Sequence, residues 1–168
     1  MKKIIVALAA TFTLGAFSFA EGYINANDLE KGTITETRQE EDGFVLVATP
    51  EKSLEVGKSD TYTVGDETFT QRISTKGSGS VAQRERIITF PAKAGETVTI
   101  ICHSSGSAGQ RPLHLANVDT KKDVKVISAG SYKEGGPTVD STKITADGTY
   151  GVYSKGGGVY IYKIEIKK

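Results

Sequence analysis

The chain has 168 residues, with 21 lysines and arginines against 20 aspartates and glutamates, two histidines, one cysteine and no tryptophan. Basic and acidic residues are interleaved, which argues against a nucleic-acid partner, because a protein that grips phosphates shows a basic face or a strong positive excess. A lone cysteine excludes an internal disulfide and a zinc site built from cysteines.

Lys2 and Lys3 precede an apolar run from Ile4 to Phe19 that closes on Ser18-Phe19-Ala20, the pattern of a secretory signal peptide. The run is too short, and too rich in Ala, Gly and Thr, for a spanning helix of about 20 residues. Cleavage after Ala20 is therefore expected, leaving a periplasmic or extracellular domain over 21–168 without a transmembrane segment. Taking 20 residues from 168 leaves 148, the size of one domain. The removed segment carries two of the 21 basic residues and none of the 20 acidic ones, so the remainder has a net charge of −1.

Glu21 to Lys31 reads as a short helix or an irregular arm. After it, short bursts of β-branched and aromatic residues alternate with Gly, Ser, Asp and Pro clusters, the pattern of strands and turns. The strand candidates are Gly43 to Ala48, Asp60 to Val64, Thr68 to Ser74, Arg86 to Phe90, Glu96 to His103, Leu113 to Val118, Val124 to Ser128, Thr149 to Ser154 and Val159 to Ile166. Their spacing predicts an all-β, jelly-roll-like antiparallel β-sandwich of about nine strands. Asp147-Gly148 suits a tight hairpin joining a short Thr142 to Thr145 segment to Thr149 to Ser154, so the last three strands are expected to form a meander. In the final strand Tyr160, Tyr162, Ile164 and Ile166 alternate with Lys163 and Glu165, which predicts one buried and one wet face; Val159 and Ile161 are apolar on the second face as well, so the start of the strand is expected to be covered on both sides or to border a groove.

No catalytic centre is legible. The acids gather at Glu36 to Asp42, Asp66-Glu67 and Asp119 to Asp123, which read as solvated turns. His103 and His114 lack an acidic partner at ligand spacing. The serines at Ser78 and Ser107 lie in Gly/Ser loops without the strand-to-helix context of a nucleophile elbow, and Gly156-Gly157-Gly158 lacks the helix of a phosphate cradle. Cys102 sits in an apolar run and reads as a buried strand residue. The chain reads as a non-enzyme. No cofactor is implied; calcium in an Asp-rich turn is compatible with the composition, and nothing in the sequence indicates it.

A binding chemistry remains. Arginine pairs two oxygens of a carboxylate at once, and Arg72, Arg84, Arg86 and Arg111 flank strand candidates. Pairing with surface acids is the alternative for each, favoured for Arg84. Several segments in order, Phe44 to Thr49, Thr68 to Ile73, Arg86 to Phe90, Arg111 to Leu115 and Tyr150 to Tyr162, resemble the non-catalytic, carbohydrate-binding-module-like β-sandwich domain that accompanies secreted bacterial pectate lyases and related polysaccharide-degrading enzymes. The resemblance spans about Leu29 to Ile166. It implies non-catalytic binding of a glycan, with an acidic or pectin-like polysaccharide favoured, and it carries over ligand-binding roles to Arg72, Arg86, Ser104, Ser105, Arg111, Ser154 and Tyr160. Tyr162 also matches, but fits the core equally well. Glycines at 156–158, and Pro112 and His114, depart from the pattern. The rival reading is a structural or adhesive cell-envelope protein that meets an envelope or host-surface protein through an edge strand or loops.

Overall fold

The structure is a computed structural model that describes residues 21–106, 110–133 and 135–168. The signal peptide expected over 1–20 and the turn expected around Ser107 lie outside those residues. The described residues form thirteen strands: β1 Gly22–Asn25, β2 Gly32–Ile34, β3 Arg38–Gln39, β4 Val45–Val47, β5 Leu54–Val64, β6 Glu67–Ser74, β7 Ile87–Ala92, β8 Thr97–Ser104, β9 Arg111–Asn117, β10 Lys122–Ala129, β11 Thr138–Lys143, β12 Gly148–Ser154 and β13 Val159–Lys167.

They make two antiparallel sheets packed as a sandwich. Sheet A has the order β11-β8-β13-β6-β5-β2 with β1 added beside β13; sheet B has the order β10-β9-β12-β7-β4-β3. Period-two alternation builds the layer between them. In β8, Val98, Ile100 and Cys102 face the shared core while Ile101 and His103 take the other face. Phe44, directly before β4, and Phe90 of β7 pack side by side on the inner face of sheet B, ring centroids 5.2 Å apart. Burying each such side chain stabilises the fold by about 1.5–3 kcal/mol. Cys102 is fully buried and its thiol is pushed up to about 12, by burial first and then by Asp140, as its apolar setting in the sequence suggested.

Each sheet also carries a smaller apolar cluster on its outer face. On sheet A it is Phe69, Ile101 and Tyr162, flanked by Tyr62, Val64 and Tyr160. On sheet B it is Val81, Ile87, Ala116, Val118 and Tyr153, flanked by Val47.

Three expectations are corrected. The stretch after Glu21 opens as a strand: β1 pairs with β13, and only Ala26–Asp28 forms a 3-10 turn, capped by the Asn25 side chain, which accepts from Asn27 N–H at 3.0 Å. The last three strands are not a meander, because β11 pairs with β8 in sheet A, β12 sits in sheet B and β13 returns to sheet A. Asp147 is part of a crossing between layers, anchored where its Oδ1 accepts from Ala94 N–H at 2.9 Å. Finally, β13 does not keep one apolar face. Its pairing with β8 jumps from Ile161–Cys102 to Lys163–Ile101, and the bulge resets the alternation. Tyr160 and Tyr162 consequently lie on the outer face while Ile161, Ile164 and Ile166 join the central core.

Candidate functional site

Two bulges shape the outer face of sheet A. Between β5 and β6 the register passes from Lys58–Gln71 to Tyr62–Phe69, so Ser59, Asp60 and Thr61 stand against Thr70 alone. The second bulge is the one at Tyr162. Bulges bend a strand and re-aim its side chains. Here they frame a cleft of about 270 Å3 lined by Ser59, Asp60, Tyr62, Arg72, Tyr132, Tyr160 and Tyr162.

The walls are aromatic and held in place. The Arg72 guanidinium lies 4.1 Å above the Tyr160 ring centroid, a cation–π stack. Its Nη1 donates to the Lys58 carbonyl, and its Nε is buried without a hydrogen-bond partner among the described residues. Tyr132 meets Tyr160 edge to face, centroids 5.9 Å apart. The Tyr62 hydroxyl donates to the Tyr132 carbonyl at 3.0 Å, tying the loop after β10 to β5. Tyr162 is fully buried at the floor, its hydroxyl 3.1 Å from His103 Nδ1 and 3.4 Å from Ser59 Oγ.

Burial pushes the Tyr62 hydroxyl up, helped by the nearby Asp60 carboxylate. Burial also pushes Tyr162 up to about 12, against the hydrogen bond from Ser59. Both phenols therefore stay protonated near neutral pH, and the charges of the cleft are the Arg72 cation and the Asp60 carboxylate. The site offers ring faces, one cationic donor and one anionic acceptor.

Of the residues singled out from the sequence, the structure brings Arg72 and Tyr160 together in this cleft. Arg86, Ser105 and Arg111 gather instead among the loops 76–86, 104–106 and 156–158. Arg86 donates from Nε to the Ser53 carbonyl at 3.1 Å, from Nη1 to Ser78 at 3.2 Å and from Nη2 to Glu51 at 3.3 Å. Arg111 Nη1 donates to Ser105 Oγ at 3.0 Å and to the Gly158 carbonyl at 3.5 Å, while Ser105 Oγ donates to that carbonyl at 2.7 Å. Gly157 has φ of +135° and room for no Cβ, which would stand 2.8 Å from Arg111 Nη1. Ser104 and Ser154 are fully buried. Ser104 Oγ accepts from Gly106 N–H at 3.1 Å, and the Ser154 carbonyl accepts from Gly79 N–H at 2.7 Å.

Sequence reasoning did not single out Ser59, Asp60, Tyr62 or Tyr132. The signal available was the recurrence of tyrosine, Tyr62 in one strand candidate and Tyr160 and Tyr162 in another. His114 also has an acidic partner after all. Its Nδ1 lies 2.9 Å from Asp123 Oδ2 across the β9–β10 pair, and the same carboxylate accepts from the Tyr153 hydroxyl at 2.9 Å and Lys155 Nζ at 2.8 Å. Burial alone would raise the Asp123 carboxyl, but the bonds from Lys155, Tyr153 and His114 outweigh it and hold it below its ordinary value. Among the described residues, no group of three or more His, Cys, Asp or Glu side chains is placed to hold a metal ion, and no helix is long and apolar enough to cross a membrane.

No family profile matches the chain, and no curated protein does. Among solved structures, the chain is similar to carbohydrate-binding modules. One is the module CBM6cm-2 of Cellvibrio mixtus lichenase 5A, in complex with cellotriose, at 15% identity over 88% of this chain and 96% of that one, with a TM-score of 0.42. Another is a family 51 module from Clostridium perfringens, in complex with methyl-galactose, at 9% identity over 87% and 100%, TM-score 0.44. The K2 cleaved adhesin domain of Lys-gingipain is similar too, at 8% identity over 89% of each chain, TM-score 0.46.

Proposed function

We propose that this chain is an exported, non-catalytic glycan-binding domain, and that the tyrosine cleft on sheet A is where the glycan sits. The observation that carries the reading is the convergence of Tyr62, Tyr132, Tyr160, Arg72 and Asp60 on one open volume. A sugar ring presents apolar C–H patches on its faces and hydroxyls around its rim. The first suit tyrosine faces, which are amphipathic and rigid; the second suit a fixed donor beside a fixed acceptor, as Arg72 and Asp60 provide. At about 270 Å3 the cleft is just under the range of about 300–1,000 Å3 for small-molecule sites, which suits a short stretch or an end of a polysaccharide.

An acidic, pectin-like chain is recognised here through Arg72, whose cation can meet a uronate carboxylate at the cleft. Arg72 also gives Nη1 to the Lys58 carbonyl, but of these three arginines it is the one that lines the cleft, whereas Arg86 and Arg111 hold the loops 76–86, 104–106 and 156–158. The test is a glycan-array and calorimetric screen of the purified protein against polygalacturonate and neutral polysaccharides. Binding that Arg72→Ala and Tyr132→Ala both weaken supports the reading, and silence across the whole panel contradicts it.

A second reading rests on a different observation. Val124, Val126 and Val139 are 40%, 50% and 49% exposed on β10 and β11, the neighbouring edge strands of the two sheets. Exposed apolar residues on strand edges are where a protein partner would dock. Adhesion through that edge would leave Arg72 and Tyr132 variants fully active in cell or protein adhesion.

A further inference from the structure

His103 is a buried imidazole that touches two sides of the cleft without lining it. Its Nδ1 lies 3.1 Å from the Tyr162 hydroxyl at the floor, and its ring packs edge to face on Tyr62, centroids 4.7 Å apart. Tyr62 in turn holds the Tyr132 carbonyl at 3.0 Å, and Tyr132 is a cleft wall. One fully buried ring thus stands behind both the floor and, through Tyr62, the loop that closes the site.

We propose that His103 is a positioning residue of this cleft, holding Tyr162 and the Tyr62–Tyr132 wall in their binding arrangement only while its ring is neutral. The proposal rests on the cleft being the ligand site. Its physical basis is the hydrogen-bond line Ser59–Tyr162–His103, in which each hydroxyl has one proton to give. Whichever nitrogen carries the proton of the neutral ring, a second proton breaks an arrangement. On Nδ1 it faces the Tyr162 oxygen and forces the phenolic O–H round towards Ser59, which lines the cleft. On Nε2 it puts an N–H on a buried atom that has no hydrogen-bond partner among the described residues, a costly state for a buried donor.

Among the described residues, no carboxylate touches the ring to compensate. Tyr62 on β5 and Tyr162 on β13 face it directly, and Tyr160 of β13 is its cross-strand neighbour on the same face. Beyond Tyr62 lie the opposed charges of Asp60 on β5 and Arg72 on β6, and Tyr132 and Lys133 in the loop after β10. Burial lowers the His103 imidazole from its ordinary value, and hydrogen bonding to the Gly136 backbone opposes this only in part. The arrangement is therefore complete at neutral pH and is lost on acidification. If ligand binds only the neutral form, affinity falls about tenfold for each pH unit below the pKa of His103 in the free protein.

The experiment is a titration of the free protein from about pH 8 to about pH 5, reading the tyrosine ring signals by NMR, alongside affinity for trigalacturonate and cellotetraose. The variants are His103→Gln, which keeps an acceptor but does not titrate, and His103→Leu, which keeps neither. The expected result is that the Tyr62, Tyr132 and Tyr162 signals move together with a midpoint below the ordinary histidine value. His103→Gln should abolish that movement, retain affinity at neutral pH and flatten its pH profile. A merely structural histidine would give tyrosine signals that ignore pH, or a His103→Gln profile still shaped like that of the wild type; either result overturns the proposal. If neither oligosaccharide binds at any pH, it is the choice of these glycans that fails, and the tyrosine titration still decides the role of His103.

Discussion

Arg72 and Arg111 look alike in the sequence, each flanking a strand candidate, yet they end in different situations. Arg111 is spent inward, on Ser105 and the Gly158 carbonyl, with Gly157 pressed against its guanidinium. Arg72 lies flat on Tyr160 at the lip of an open cleft, with Asp60 lining the same volume. Arg86 goes further in the first direction and ties three backbone carbonyls from two separate loops. The lesson is that an arginine's task follows from what its fork faces. Loops that fold back over one another surround Arg86 and Arg111 with carbonyl and hydroxyl acceptors, whereas the bulged strands give Arg72 one carbonyl, that of Lys58, and a ring face beside an open cleft.

That contrast can be broken in four places. The largest effect is expected from Arg86→Ala, which leaves the carbonyls of Glu51, Ser53 and Ser78 without their donor. It should lower the unfolding free energy by about 2 kcal/mol in urea titrations while glycan affinity stays unchanged. Next comes Tyr132→Ala, which should weaken glycan binding by about tenfold, or about 1.4 kcal/mol, with almost no change in the unfolding midpoint. Gly157→Ala should cost about 1 kcal/mol of stability, because the added Cβ meets Arg111 and the backbone stands at positive φ.

The smallest effect belongs to the Asp123 network on sheet B. Its carboxyl is lower in the folded chain than in the unfolded one, so the unfolded state binds more protons as the solution becomes acidic. The stabilisation is present above the ordinary carboxylate range and disappears as pH falls through the folded value. Asp123→Asn should therefore lose under about 1 kcal/mol at neutral pH, since Lys155 is exposed, and should converge with the wild type in acid. Thermal unfolding across pH measures the difference.

The two layers were legible because alternation and turn residues are local signals. Val159 to Ile166 and Glu96 to His103 read as strands from their β-branched runs, and both are strands in the structure. Bulges were not legible: nothing in the composition of Ser59-Asp60-Thr61 or at Tyr162 marks an extra residue, since a bulge is defined by the register of its partner. Because both bulges shape the cleft, its geometry was hidden with them, and the Tyr160–Ile166 alternation was carried through a point where the phase changes. The Asp147-Gly148 turn misled for a related reason. A short turn says that the chain reverses, not whether it returns in the same sheet or crosses to the other. Arg72 and Tyr160 came from a resemblance, whereas Tyr132 sits in a loop among Gly, Ser and Lys, where a single tyrosine carries no periodic signal.

The most direct test of the central claim is calorimetric titration of one glycan into three proteins: wild type, Tyr132→Ala and Arg111→Lys. A tyrosine cleft on sheet A predicts that the wild type and Arg111→Lys bind alike and that Tyr132→Ala binds about tenfold more weakly or not at all. Binding that survives in Tyr132→Ala and disappears in Arg111→Lys would place the site among the loops and contradict the account.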